Sequence, residues 1–205
     1  MNAAQFLARM PNLLAVTQDP VGSAVASVAG GAERFRALVD AHYDFIWRSV
    51  RRLGVHHAAS DDATQQVFWV AWQKLAAIEV GAERSFLFRT AMRVAANHRR
   101  SARVRDRESP DSDVVAQAQG GGATPEELLR WKRARMMLDE VLDSMKPDYR
   151  CVFVLAELES LTAPEIAAMI DVPVGTVASR LRRAREEFSE FVARLRAREA
   201  FRGAP

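Results

Sequence analysis

The apolar residues of this chain recur almost everywhere at intervals of three and four, the spacing that gathers them on one side of a helix. Between Ala32 and Leu53 the positions Phe35, Leu38, Val39, Ile46, Val50 and Leu53 make such a stripe, and Gly54 stops it. A second helix is predicted to begin at Ser60, Asp61 and Asp62, where early acids suit the positive end of a helix. It runs through Val67, Phe68, Val70, Ala71 and Leu75. A third covers 84–104, with Phe86, Leu87, Thr90, Ala91, Val94 and Ala95 inward. Thr124, Pro125, Glu126 and Glu127 then offer a cap, a proline for the first turn and two early acids. The helix they open reaches Met145, with Leu128, Leu129, Met136, Leu138, Val141 and Leu142 as its apolar residues, and Pro147 ends it. Asp148 to Leu158 form another helix. Almost no segment alternates as a strand does.

Residues 162–188, TAPEIAAMIDVPVGTVASRLRRAREEF, carry the most specific pattern. Thr162 with Glu165 three residues on is a capping box, in which each residue satisfies a free backbone donor of the helix start. Ile166, Ala167 and Ile170 give this helix one apolar face. Asp171 to Gly175 supply the break, with Pro173 barred from a helix interior and Gly175 free to turn. Val177, Leu181, Ala184 and Phe188 then form one buried stripe, which leaves Arg180, Arg182, Arg183 and Arg185 off it. Two helices, a tight turn and a second helix bearing arginines are the elements of a helix-turn-helix, whose second helix enters a major groove.

Between these helical stretches, residues 106–124 (DRESPDSDVVAQAQGGGAT) hold a proline, four acids and the triple glycine 120–122. Such composition predicts a linker. The fold class that follows is all-α: two small helical domains joined by a flexible acidic, glycine-rich linker, the second domain containing the helix-turn-helix. The boundaries are an N-terminal extension over 1–31, expected to be poorly ordered, a first domain over 32–105, the linker over 106–124, a second domain over 125–199 and a tail over 200–205.

Charge sharpens the picture. The net charge is +3, with a sequence pI of about 9.5, a level that suits a nucleic-acid binder. Its distribution says more. Residues 84–107 hold eight arginines against the single acid Asp106, whereas 108–127 hold five acids and no basic residue. A polyanion-facing surface beside an acidic connector is the expectation.

Other chemistries find little support. The single Cys151 lies in an apolar run and reads as a buried thiol; no disulfide framework or multi-cysteine zinc site can be built from it. His56 and His57 precede Asp61 and Asp62, but neighbouring side chains point apart and nothing completes a metal ligand set. No phosphate loop or paired nucleophile and base is present, so neither an enzyme nor a cofactor is expected. The N-terminus has Arg9 as its only basic residue, and prolines interrupt its apolar runs, unlike a signal peptide. No run approaches the ~20 apolar residues of a membrane span, so a cytoplasmic protein without membrane insertion is expected.

Taken together, three runs make the chain resemble the extracytoplasmic-function (ECF) subfamily of bacterial RNA polymerase sigma factors. PVGTVASRLRRAREEF at 173–188 is close to the family's Gly-Thr-Val followed by Ser-Arg-Leu and Arg-Ala-Arg. DDATQQVFWVAWQKL at 61–75 is similar to its acidic start, Gln/Glu pair, Val-Phe and later Trp, and FLFRTAMRVAANHRR at 86–100 is a looser match. The resemblance implies a sigma region 2 domain over 32–105 and a region 4 domain whose match spans 125–197.

It also implies roles. Asp62, Gln65, Gln66 and Trp69 would dock on the clamp helices of the polymerase's largest subunit. Arg84, Arg89, Arg93, Asn97, Arg100 and Arg103 would engage the −10 promoter element, beside a loop at 79–85 that receives a base turned out of the stack. Where the family usually carries Asn and Asp, this chain has Arg93 and Asn97. Thr176, Ala178, Ser179, Arg180, Arg182 and Arg183 would contact the −35 element, with Ala178 standing where relatives often have a longer polar side chain. The implied partners are core RNA polymerase, promoter DNA and an anti-sigma factor of the kind that often restrains the family. The competing reading is a free-standing helix-turn-helix repressor or activator. Such proteins usually dimerise on palindromic sites, and the 61–75 and 84–107 segments would then have no task.

Overall fold

The computed structural model describes residues 22–108 and 124–202, and every regular element among them is helical. The first of two compact units is built on α1 (Gly22–Arg52), α2 (His57–Gln73), a 3-10 turn (Leu75–Ala77) and α3 (Glu83–Glu108). The second is built on α4 (Pro125–Ser144), α5 (Pro147–Phe153), a π turn (Val154–Leu158), α6 (Ala163–Ile170) and α7 (Val174–Arg202). The extension expected over 1–31 and the linker expected over 106–124 fall largely on 1–21 and 109–123, outside the described residues.

In the first unit the α1 stripe packs as its spacing predicts. Phe35, Val39, Ile46 and Val50 are buried, as are Val67, Phe68 and Ala71 of α2 and Leu87, Phe88 and Ala91 of α3. Each of the Val, Leu, Ile and Phe side chains contributes about 1.5–3 kcal/mol on removal from water. Aromatic pairs hold the α1–α2–α3 angles: Tyr43 stacks on Phe68 at 6.1 Å, Phe35 meets Trp72 edge-on at 5.1 Å and Phe45 lies 5.9 Å from Phe88. Burial, with Asp61 and Asp44 nearby, pushes the Tyr43 phenol up to about 12.

Two helix starts differ from expectation. The first helix begins at Gly22 and passes through Gly30 and Gly31. Glycine in a helix costs about 1 kcal/mol relative to alanine but does not forbid it. Helix α2 starts a turn early, at His57, because Ser60 and Asp61 are used otherwise. The Ser60 hydroxyl is buried and donates to the His56 carbonyl at 3.0 Å, while Asp61 Oδ1 accepts from Trp47 Nε1 at 2.9 Å.

In the second unit Val141, Leu142, Met145, Phe153, Val154 and Ala184 form the core, with Phe188 stacked on Phe153 at 5.2 Å. Six consecutive residues, Arg150–Leu155, are buried, more than one stripe of a regular helix can cover. The helix expected over 148–158 accordingly changes from α to π geometry at Val154.

Candidate nucleic-acid and polymerase interfaces

The helix-turn-helix is built from local chemistry. Glu165 reaches back to the Thr162 backbone N–H at 2.7 Å and accepts from its hydroxyl at 2.6 Å, which fixes the start of α6. At the other end Asp171 turns the chain left-handed at φ 58°, and its N–H donates to Ala167 O. The turn residue is therefore Asp171, not Gly175: Gly175 is the second residue of α7 and helical. A short polar side chain tolerates the left-handed region better than most, so an aspartate serves where a glycine was expected. Pro173 then precedes α7, and its carbonyl accepts from the N–H groups of Thr176 and Val177.

Within α7, Val177 and Ala184 are fully buried and Phe188 packs on the core, so the opposite face is turned outward. Ala178, Ser179, Arg182 and Arg183 lie on that face and are exposed. The Ser179 hydroxyl donates to Thr176 O at 3.0 Å, and Thr176 and Arg180 sit at the side. Every arginine of this helix stretch has an acid. Arg180 donates to Asp148 at 2.9 Å and Arg185 to Glu157 at 2.7 Å, which tie the flanks of α7 to α5 and the π turn. Arg182 and Arg183 share Glu186, one on each carboxylate oxygen, at 2.8 and 2.9 Å. An open cavity of about 480 Å³ runs beside Ala163, Ala178, Leu181 and Arg182, so a small apolar patch adjoins the cations.

In the first unit, α3 separates its sides cleanly. Leu87, Phe88, Ala91, Val94 and Ala95 are buried. Arg89, Arg93, Asn97 and Arg100 fall within about a quarter of the helix circumference on the opposite side, at 100° per residue, and Arg93, Asn97 and Arg100 are exposed. Arg103 follows on the same helix, where side chains lie outside the described set. Arg84 stands apart, in the first turn of α3, with its guanidinium 4.3 Å from the Phe45 ring centroid. Beside it, burial lowers the His42 pKa; Glu83 opposes the shift and Arg84 adds to it.

The loop between the 3-10 turn and α3 is tied from within. Gly81 adopts φ 89°, and its N–H donates to Glu83 Oε2 at 2.6 Å. Arg34, from α1, donates to the carbonyls of Leu75 and Ile78 and lies 3.5 Å from Glu83 Oε1. Backbone hydrogen bonding at Glu83 itself is the chief cause that holds its carboxyl below the ordinary value. Sequence reasoning missed Arg34 because its partners lie 41 and 44 residues away.

On α2, Asp62, Gln66 and Trp69 are exposed and Gln65 is partly so, all on the face opposite Ala63, Val67, Phe68 and Ala71. Trp69 keeps 45% of its surface in water, unusual for a large apolar ring and apt for an interface anchor. Among the described residues no group of three or more His, Cys, Asp or Glu could hold a metal, and no helix is long and apolar enough to cross a membrane.

Comparison with known proteins matches this geometry at both units. Residues 38–105 match the family described as Sigma-70 region 2, and residues 135–188 match Sigma-70, region 4. The ECF RNA polymerase sigma factor SigE of Mycolicibacterium smegmatis is 28% identical over 182 residues, covering 87% of this chain and 70% of that protein. The ECF RNA polymerase sigma-E factor of Escherichia coli is 35% identical over 135 residues, covering 61% of this chain and 69% of the relative. Two solved structures share the fold. CnrH in complex with the cytosolic domain of CnrY superposes with a TM-score of 0.55 at 22% identity, over 80% of this chain and 94% of that one. The sigma factor RpoE with the anti-sigma factor NepR from Bartonella quintana gives 0.52 at 21% identity, over 73% and 91%. With both sigma regions present in order and a 35% identical relative covered over more than two thirds of its length, the chain belongs to the ECF family of RNA polymerase sigma factors.

Proposed function

We propose that this sigma factor grips promoters at two places, through the outward face of α7 at the −35 element and the α3 strip at the −10 element. Family membership carries the broad activity: a subunit that binds core RNA polymerase and directs it to promoters for initiation. The observation that carries the finer reading is the placement of Arg182 and Arg183 together on the exposed side of a helix whose other side is core. A guanidinium there can form the bidentate pair with guanine O6 and N7 that the major groove allows. Thr176, Ser179 and Arg180 are suited to phosphates, and Ala178 with the adjoining apolar patch is suited to a thymine methyl.

In the first unit, Arg89, Arg93, Asn97, Arg100 and Arg103 would track the −10 strand. Residues 83–85 of the loop expected at 79–85 belong to α3, so Arg84, in the first turn of that helix, would brace the 79–82 loop from its seat on Phe45. That loop would receive an unstacked base, and Asp62, Gln65, Gln66 and Trp69 would form the polymerase-docking face. The protein acts in the cytoplasm, where polymerase and chromosome are, and leaves the chemistry of RNA synthesis to the polymerase. An anti-sigma factor is the expected restraint, since both structural relatives were solved with a protein partner, one of them named as an anti-sigma factor.

In vitro transcription with core polymerase tests the reading. The paired substitution Arg182→Ala with Arg183→Ala should lower promoter-specific initiation by roughly tenfold or more, since each lost base pair contact is worth about 1–3 kcal/mol. Unchanged initiation from a −35-dependent promoter would refute the assignment of α7.

A further inference from the structure

We infer that Arg34 is a positioning residue for base capture: with Glu83 it fixes the 79–82 loop in one shape before DNA arrives. The inference rests on the reading of 79–85 as a base-receiving loop given above.

The last carbonyls of a helical turn have no partner within it. Here Ile78 O, just past the 3-10 turn, and Leu75 O, which also accepts the Ile78 N–H at 3.3 Å, are both taken by one guanidinium reaching across from α1. The same Nη2 group lies 3.5 Å from Glu83 Oε1, in the first turn of α3, so a single side chain links the segment before the loop to the segment after it. Glu83 passes the restraint inward, because its other oxygen accepts from the Gly81 N–H at 2.6 Å. The Ala82 N–H closes the remaining turn onto Glu79 O at 3.1 Å.

Gly81 supplies the one conformation in this path that most side chains resist, φ 89°. The one large apolar side chain on the loop, Val80, is 90% exposed and makes no part of this scaffold. The loop is therefore held entirely by its base while its outer surface stays open. That is the arrangement a receiving site needs: unstacking a base is costly, and a loop that had also to be ordered on binding would add to the cost. A planar guanidinium with several donors in a fixed fork can serve two carbonyls and a carboxylate together, which an ammonium on a flexible stem does less well.

The test uses the full chain with core polymerase on forked promoter DNA whose −10 non-template strand is single-stranded, each base replaced in turn by an abasic site. The wild type should bind one such probe much more weakly than the intact fork. Arg34→Ala should shrink that ratio by about tenfold, with binding to a duplex carrying only the −35 element unchanged. Glu83→Gln should shrink it in the same direction but less, since the carbonyl bonds of Arg34 remain. Arg34→Lys should fail to restore it. If Arg34→Ala loses cooperative thermal unfolding, the Glu83→Gln ratio decides alone. Variants that keep the wild-type ratio, or that weaken binding to the −35 duplex by the same factor, overturn the inference. A wild type indifferent to every abasic site would instead sink the base-capture reading itself.

Discussion

Glu186→Gln should strengthen the binding of this protein to DNA. The carboxylate accepts from Arg182 at 2.8 Å and from Arg183 at 2.9 Å, so one acid engages both arginines of the outward face. All three side chains are well exposed, at 64%, 59% and 40%, so each pair is screened and worth about 0.2–1 kcal/mol. Phosphates and base edges must displace that partner before the arginines can serve them, and the carboxylate itself repels phosphate. Glutamine keeps the shape and a hydrogen-bond acceptor but removes the charge. Releasing roughly 0.5–1 kcal/mol at this site corresponds to about a two- to fivefold gain in affinity. Because one opposing charge is removed near the backbone, the plot of log affinity against log salt should steepen by up to about 0.9, the contribution of one phosphate.

The assay is fluorescence anisotropy of a labelled −35 duplex, titrated with wild-type and Glu186→Gln holoenzyme across a salt series. The gain should be largest at low salt and fade as screening rises. A scrambled duplex should gain at least as much as the promoter sequence, because the release acts on any phosphate. Loss of affinity confined to the promoter sequence would refute the reasoning. It would mean that Glu186 reads a base directly, as a carboxylate can do by accepting from the amino group of cytosine.

Two other consequences are open to measurement. Asp171 holds a left-handed turn at φ 58°, so Asp171→Gly should leave stability equal or raise it by up to about 1 kcal/mol, whereas Asp171→Val should lower it by about 1–2 kcal/mol, read as shifts in denaturant midpoint. Glu83 has its folded-state pKa lowered from the ordinary 4.5, chiefly by backbone hydrogen bonding at Glu83 itself, so its stabilising effect is complete above about pH 4.5 and is lost as pH falls through the depressed value. The stability gap between wild type and Glu83→Gln should thus be full at pH 7 and close under acid, and a gap that widens with acid would contradict the assignment.

What the sequence made legible follows the range of the interactions involved. The stripes of α1, α3 and α7 could be read because helical periodicity is a local property, and Phe35, Val94 and Val177 are buried as their spacing requires. The start of α6 was legible for the same reason, since both capping partners lie within four residues. Errors arose where a residue had a use elsewhere or an unusual tolerance. Ser60 and Asp61 look like a helix start, but the serine is buried and the aspartate serves Trp47, fourteen residues back. Gly175 looks like the turn residue because glycine is the usual left-handed residue, yet Asp171 takes that place. Arg34 could not be singled out at all, being one more arginine on a helix until the fold brings Leu75, Ile78 and Glu83 to it.

Pairing with acids separates the two basic surfaces. The arginines of α7 come with carboxylates: Asp148 for Arg180, Glu157 for Arg185 and Glu186 for Arg182 and Arg183. On α3, Arg89, Arg93 and Arg100 make no ion pair with any acid among the described residues. Non-specific attraction to nucleic acid comes from cations that neutralise phosphates and release counterions. A free arginine gains that energy from any sequence. A paired one exchanges a carboxylate for a phosphate and gains little, so it benefits mainly where a base edge offers a better, bidentate partner. On the proposed reading α3 therefore supplies most of the general hold on the strand, while α7 contributes little to wrong sequences and more to right ones. Discrimination is a difference of affinities, and lowering the affinity for incorrect sites serves it as well as raising the affinity for the correct one.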